Sequence, residues 1–576
     1  MYRNSIFWIA GLALLVLGLF LPRDWYDALP NAGGSGAFPL KGVTLLQISL
    51  VIEGLALLWL ARTRCRYSRL SPEHRLPFVA GSNEQRSQPV RHLSWLLVGV
   101  TAVAVILRWY RLDADLWLDE IVTVGISRDS VFNLMASYIS TNNHLLNTLL
   151  VKVSVALFGE SEWAVRLPAA IFGMATVPAL YWVTKMALSR WAGIAAALLL
   201  AVSYHHIFFS QNARGYAAYL FLSLVATGLF VRGMQDDRPR TWALYILAMF
   251  LNFAALLNAM FVLAAHIVTG AVVLLVMRRQ GYPVLPLFKR LFSVFAATGF
   301  LAFQLYAVII PQVLAYVDKV YTVKAAGFAP LSVELFLELV RGVAAGFGPG
   351  VLLGAVPFVA IAGAGYFTLA RRNWVLALAL LLPAFITGVY VLARGLAFSP
   401  RLMLFGLLLA IMSAVAGLIA CTNYLARLLN KGPQFSRRLQ SVLVALVCIV
   451  SVSALPRYYA VPKQKYRAAI EYTESLRQSG QVVVAIHLTE VGIRYYSQII
   501  EAAANRKYFY VRSLDRFDEV VEQYAQKDVI LMTTFHRALR LEYPELQERI
   551  EQGWKVDREF PATIGDGGIA VWSSRR

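Results

Sequence analysis

Charge is what this sequence has least of. Only 15% of its 576 residues are Asp, Glu, Lys or Arg, where a soluble domain carries about a quarter, so a water-facing surface is excluded for most of the chain. Acid is scarcer than base, 33 residues against 54. Cysteine is nearly absent. Cys65, Cys421 and Cys448 show no metal-ligand spacing, and the topology read below leaves none of them outside, which excludes a structural disulfide. Missing too are a low-complexity tract, an internal repeat strong enough for an inverted-repeat transporter, and a Gly-x-Gly-x-x-Gly fingerprint after the strand-like run at 481–486.

What the chain has in quantity is apolar sequence, 58% of all residues. A membrane-spanning helix needs roughly 20 apolar residues, and runs of that kind recur from residue 5 to about 455. They predict a mainly α, polytopic membrane protein of about 13 transmembrane helices. The net charge of +21 does not point to nucleic acid, because Lys and Arg cluster in short stretches between apolar runs, as the positive-inside rule requires. With the N-terminus inside, the basic loop from Arg62 to Arg91, the Lys185–Arg190 turn, and the clusters at Arg232–Arg240, Arg278–Arg290, Arg371–Arg372 and Arg427–Arg438 all fall on the inner side. The segment Ser5–Leu21 lacks a small-residue cleavage site and reads as a retained anchor.

One segment decides that scheme. His144–Phe158 is apolar but only about four turns long and carries Lys152. Counting it as a span would move every later basic cluster outside, so it is read as an amphipathic helix in the outer interface. Residues 110–163 then form one long outer loop with Asp113, Asp115, Asp119, Glu120, Asp129, Glu160 and Glu162, and a loop of that length is usually functional. A second outer loop covers 311–349, with Tyr316, Asp318, Lys319, Tyr321 and Lys324. The expected organisation is 1–92, two extra N-terminal helices and a basic cytoplasmic loop; 93–455, the transmembrane catalytic domain; and 456–576, a soluble outer domain. In that last part, short β-branched runs at 481–486, 507–511, 528–532 and 568–572 alternate with helical stretches near 466–478, 491–505 and 536–552, which predicts a small α/β domain.

The sharpest chemical feature is Asp115-Leu116-Trp117-Leu118-Asp119-Glu120. On a helix, Asp115 and Asp119 would share a face, and apolar neighbours would desolvate them and improve them as bases. A solvated acidic turn at a helix end explains the same residues. Glu53 and His266 lie inside predicted spans; each is a functional hypothesis by default, and pairing with a neighbouring helix, or for Glu53 a held proton, explains it at lower cost.

Leu116-Trp117-Leu118-Asp119-Glu120 resembles the Trp-x-Asp-Glu signature in the first outer loop of PMT-type GT-C glycosyltransferases, the group of protein O-mannosyltransferases and lipid A aminoarabinose transferases. The likeness continues in Asn143-His144-Leu145-Leu146, where such proteins carry His-Pro-Pro-Leu or Lys-Pro-Pro-Leu. It extends through Leu157-Phe158-Gly159 and Arg166-Leu167-Pro168 to Phe209-Ser210-Gln211-Asn212-Ala213-Arg214-Gly215-Tyr216, which is similar to Tyr-Ser-Gln-Glu-Ala-Arg-x-Tyr. Ser399-Pro400-Arg401 is similar to a later Pro-Arg-Tyr element. The match covers about 93–232 well and the rest by architecture. Two departures stand out: Leu-Leu replaces the Pro-Pro pair after His144, and Asn212 replaces the family's Glu.

The resemblance implies a GT-C fold, a place in the inner (plasma) membrane, and an inverting transfer on the periplasmic or extracellular side. The donor would be a polyprenyl-phosphate sugar and the acceptor a lipid, glycan or protein. It makes Asp119 the catalytic base, with Glu120 orienting the acceptor or polarising the site. Asp115, Asn143, His144, Gln211, Asn212, Arg214, Tyr216 and Arg401 would line the substrate site, His144, Arg214 and Arg401 being candidates for the lipid phosphate; the two arginines equally suit snorkelling anchors. No residues form a clear metal cluster; a divalent cation is left open. For the C-terminal domain the resemblance suits acceptor recognition rather than catalysis. Two rivals share parts of this reading: a transporter or flippase, whose polar groups would sit at mid-bilayer, and an oligosaccharyltransferase-like enzyme, whose acceptor motif is not seen.

Overall fold

The computed structural model describes residues 2–20, 22, 41–62, 90–138, 142–315, 351–394, 401 and 404–575. The named side chains of the second outer loop, Tyr316 to Lys324, lie outside the described residues, as do Ser399, Pro400 and the basic stretch 63–89. The chain divides into two compact units. The first comprises Met1–Tyr110, Asp129–Leu150 and Pro168–Val452; the second comprises Arg111–Arg128, Val151–Leu167 and Ser453–Arg576.

The first unit is helical. Among the described residues eight helices are long and apolar enough to cross a membrane, or nine if the bent pair Arg190–Ala201 and Tyr204–Ser210 is one span. Of the thirteen expected spans, eight or nine meet that measure among the described residues. Phe7–Phe20 and Leu93–Trp109 are apolar but shorter than a full span, and Pro239–Ala255 has 17 residues. Helices cross where side chains vanish. A Cβ on Gly365 would strike the Ser413 carbonyl, and one on Gly417 the Ile361 carbonyl, so two glycines bring Val351–Arg372 and Leu404–Leu428 into backbone contact, a small-residue crossing common in membranes.

Two polar groups inside these helices are paired. Gln304 donates to the Glu53 carboxylate. His266 joins Thr227 at 3.1 Å and Tyr245 at 3.1 Å and stacks on Phe230. Both residues thus have partners on neighbouring helices. The 64° bend after Ala201 is held by Arg108, which is wholly buried. Its guanidinium donates to the carbonyls of Ala201 at 2.9 Å and Leu200 at 3.1 Å and meets His206 Nδ1 at 2.5 Å. A broken helix exposes carbonyls that need donors, and Arg108 supplies them.

The second unit holds a five-stranded sheet of order β2-β1-β3-β5-β4, with β1 Val482–Ile486, β2 Tyr508–Val511, β3 Val529–Thr534, β4 Trp554–Phe560 and β5 Ile569–Ser574. β1 lies parallel between β2 and β3, and β5 runs antiparallel to β3 and β4. Every residue of β1 and β3 is buried, as continuous Val, Ile and Leu runs require. The sheet is mixed, so the doubly wound pattern suggested by its first half does not extend to its end. β4 escaped prediction because Lys555–Glu559 are exposed and only its ends, Trp554 and Phe560, are buried. The helix expected over 536–552 is split into His536–Glu542 and Pro544–Gly553, because proline lacks the N–H that would continue the first.

Candidate active site

In the second unit, residues 115–117 are not helical and the helix Leu118–Ser127 begins after Trp117, whose backbone is extended. Asp115 and Asp119 therefore do not share a helix face. The reason is Arg166: its guanidinium collects the carbonyls of Leu112 at 3.0 Å, Ala114, and Asp115 at 2.8 Å, an arrangement no continuous helix permits because those carbonyls would be spent on its own ladder. The same guanidinium grips Glu120 in a fork, Nε to Oε1 at 2.9 Å and Nη2 to Oε2 at 2.6 Å. Glu120 is wholly buried, accepts from the Trp117 N–H at 3.2 Å, and faces the Lys463 ammonium at 3.4 Å. A carboxylate at the third helical position also suits the helix dipole.

Asp115 is tied instead to Arg467, whose backbone N–H donates to Oδ2 at 2.9 Å and whose Nε lies 3.4 Å from Oδ1. Burial raises its pKa, against the pull of Arg467. Arg467 also pairs with Glu162. Asp119 stands between these clamped carboxylates, half-buried on the first turn. Burial pushes the Lys463 ammonium down to about 7, against the pull of Glu120.

In the first unit His144, Arg214 and Tyr216 come together. Arg214 donates to His144 Nε2 at 3.2 Å and lies over the Tyr216 ring at 5.0 Å, while the His144 and Tyr216 rings meet edge to face at 5.5 Å. His144 Nδ1 is 3.3 Å from the Ala255 carbonyl, which fixes the tautomer with the proton on Nδ1. Burial, with Arg214 beside it, holds the imidazole well below its ordinary pKa and so neutral. Glycine is required at 215, since a Cβ there would strike the Ala255 carbonyl and stand 2.7 Å from His144 Nδ1.

The other expected side chains are engaged with backbone. Gln211 donates to the carbonyls of Arg108 at 3.0 Å and Tyr110 at 2.8 Å, closing the C-terminus of the helix Val90–Trp109. Asn143 donates to Leu134 and Ser137 carbonyls; at Asn212 it is the backbone carbonyl that accepts, from the Arg214 N–H at 2.6 Å. Arg401 is exposed, and its charge adds to the depression of His144. Sequence reasoning missed Lys463, Gln464 and Tyr496 altogether and quoted Arg166 only within a motif. A basic run, Lys463 to Arg467, after the last apolar stretch of a chain whose first outer loop is acidic was the available signal. Asn147, which donates to the Ala213 carbonyl at 2.9 Å, gave none.

Among the described residues no group of three or more His, Cys, Asp or Glu could hold a metal ion. The carboxylates of Asp115, Glu120 and Glu162 face guanidinium or ammonium groups, a donor set that does not fit a divalent cation.

Residues 145–300 match the family model described as dolichyl-phosphate-mannose-protein mannosyltransferase. No curated protein matches the chain in sequence. Among solved structures, ArnT from Cupriavidus metallidurans bound to undecaprenyl phosphate is 14% identical with a TM-score of 0.50, over 84% of this chain and 98% of that one. The oligosaccharyltransferase AglB from Archaeoglobus fulgidus, in complex with an inhibitory peptide and a dolichol-phosphate, is 14% identical with a TM-score of 0.47, over 84% of this chain and 74% of that one. The family's segment thus falls mostly in the helical unit of a multi-pass membrane protein, and its fold is similar to that of ArnT over most of the chain's length.

Proposed function

We propose that this enzyme is an inverting glycosyltransferase that moves one sugar from a polyprenyl-phosphate carrier to a hydroxyl or amine of a lipid, glycan or protein at the outer face of the membrane. The observation that carries the reading is the presentation of Asp119: a half-buried carboxylate on the first turn of a helix whose neighbours Asp115 and Glu120 are neutralised by Arg467 and by Arg166 with Lys463. In one displacement, Asp119 removes the acceptor proton while the acceptor atom forms its bond to the anomeric carbon. The carbon–oxygen bond to the phosphate breaks with its electron pair, and the lipid phosphate leaves as an anion. Arg214, steadied by a neutral His144, is assigned to that anion, with Arg401 as a second cation. Glu120 keeps Arg166 in place and acts by positioning.

The match of residues 145–300 to the family model and the undecaprenyl phosphate bound by ArnT support the donor class, and the basic loops between spans support the thirteen-span scheme with the loop 110–163 and residues 456–576 outside. Asp119→Asn is expected to lower kcat about 10²–10⁴-fold in a purified assay with a lipid-linked donor, with the protein still folded and inserted. Near-normal turnover by that variant would sink the assignment.

A further inference from the structure

The C-terminal residues reach the loop that carries Asp119 at four successive points. Arg467 N–H donates to Asp115 at 2.9 Å, the Tyr496 hydroxyl accepts from Leu116 N–H at 2.6 Å, Gln464 Oε1 accepts from Leu118 N–H at 2.8 Å, and Lys463 faces Glu120 at 3.4 Å. Leu118 is the first residue of the helix, and its N–H is one of the donors that a helix leaves without an internal partner. The cap that helices usually draw from the preceding residue is absent, because Trp117 offers no side-chain acceptor. A glutamine 346 positions later in the sequence supplies it.

That glutamine is itself immobilised. Gln464 is wholly buried, and its Nε2 donates to Thr534 Oγ1 at 3.1 Å and the Gly567 carbonyl at 3.1 Å, so it is pinned to the end of β3 and the turn before β5. Tyr496 is held by stacking on Tyr466 at 5.9 Å. The sheet is thereby rigidly joined to the first turn that bears the base.

We propose that Lys463, Gln464, Arg467 and Tyr496 are positioning residues for glycosyl transfer: they fix the direction of the Asp119 carboxylate from both sides, and the C-terminal domain is a working part of the active site. The proposal rests on Asp119 being the base. Misplacement of a reacting group by about 1 Å can cost 10²-fold in rate, and the cap and its neighbours hold the first turn against such a shift.

Tyr496→Phe keeps the stacked ring and removes the hydroxyl that accepts from Leu116 and donates to Glu162 at 3.4 Å; Gln464→Met keeps the volume and removes the cap. Each is measured in the full-length enzyme for kcat, donor KM and folded yield, beside Asp119→Asn. The expected result is a kcat lowered by about 10–10²-fold with donor KM unchanged, since only transition-state alignment is lost. Lys463→Met is expected to behave likewise, and Lys463→Arg, which keeps the charge, to recover most of that loss. If Tyr496→Phe and Gln464→Met turn over normally, or lose folded yield while the surviving enzyme has normal kcat, the positioning role is overturned. Those results with an inactive Asp119→Asn leave the catalytic assignment standing, whereas an active Asp119→Asn removes the assignment itself.

Discussion

Arg166 bears an unusual number of duties for one side chain. It is nearly solvent-free, forks onto a wholly buried Glu120 and collects three carbonyls of the turn before the helix. Removing one partner of a buried pair leaves the other charge stranded, at a cost of about 3–5 kcal/mol. Arg166→Ala is therefore expected to lower stability by that order, read as a fall in the thermal midpoint of the detergent-solubilised enzyme. Lys463 makes a separate prediction. Facing Glu120 and Arg166, its ammonium is charged below about 7 and neutral above it, so kcat should fall as pH rises through about 7, and Lys463→Arg should flatten that limb. Stability goes the other way. Between about 7 and the ordinary 10.5 the unfolded chain holds a proton that the folded chain does not, so folding becomes more favourable as pH rises. Opposite slopes for rate and stability would separate a local effect from general unfolding.

At the scale of elements, Gly215 decides whether two functional side chains can meet. Gly215→Ala drives a methyl group into the Ala255 carbonyl and against His144, a strain of about 1–3 kcal/mol. It is expected to raise donor KM by roughly tenfold through displacement of the His144–Arg214 pair, measured by initial rates against lipid-linked donor. What was legible here followed periodicity. The helix Leu145–Phe158 and strands β1, β2, β3 and β5 fall within a residue or two of their expected bounds, since each has a long apolar run. β4 exposes most of its length, and the helix Leu514–Tyr524, which buries only Phe517, Val520 and Val521, carried too thin a stripe to stand out. The shared helix face considered for Asp115 and Asp119 does not form, and the cause, Arg166, lies 51 residues away from Asp115. Local spacing cannot register a distant guanidinium that takes up carbonyls.

For the whole molecule, the charge pattern of the loops sets an orientation that can be measured. Alkaline phosphatase fused after Arg575 is expected to be active outside the cell membrane, and the same reporter fused after Arg279 to be inactive inside. A silent C-terminal fusion would reverse the scheme and place the Asp119 loop on the wrong side for its substrate. The likeness to the glycosyltransferase family was legible from ordered motifs between 93 and 232, a stretch that overlaps the matched segment 145–300. The partners of the catalytic loop were not, because Lys463, Gln464, Arg467 and Tyr496 contact it across more than half of the chain.

That separation has a consequence in time. Glu120 leaves the ribosome 343 residues before Lys463 does, about 20–70 s at ordinary rates of synthesis. During that interval the helix bearing Asp119 has neither its glutamine cap nor its ammonium partner, and contacts so distant in sequence form late. A growing or prematurely terminated chain therefore carries the proposed base without the means to aim it. Transfer at the full rate is expected only once the last strands have closed, so fragments left in the bilayer should spare most of the lipid-linked sugars around them.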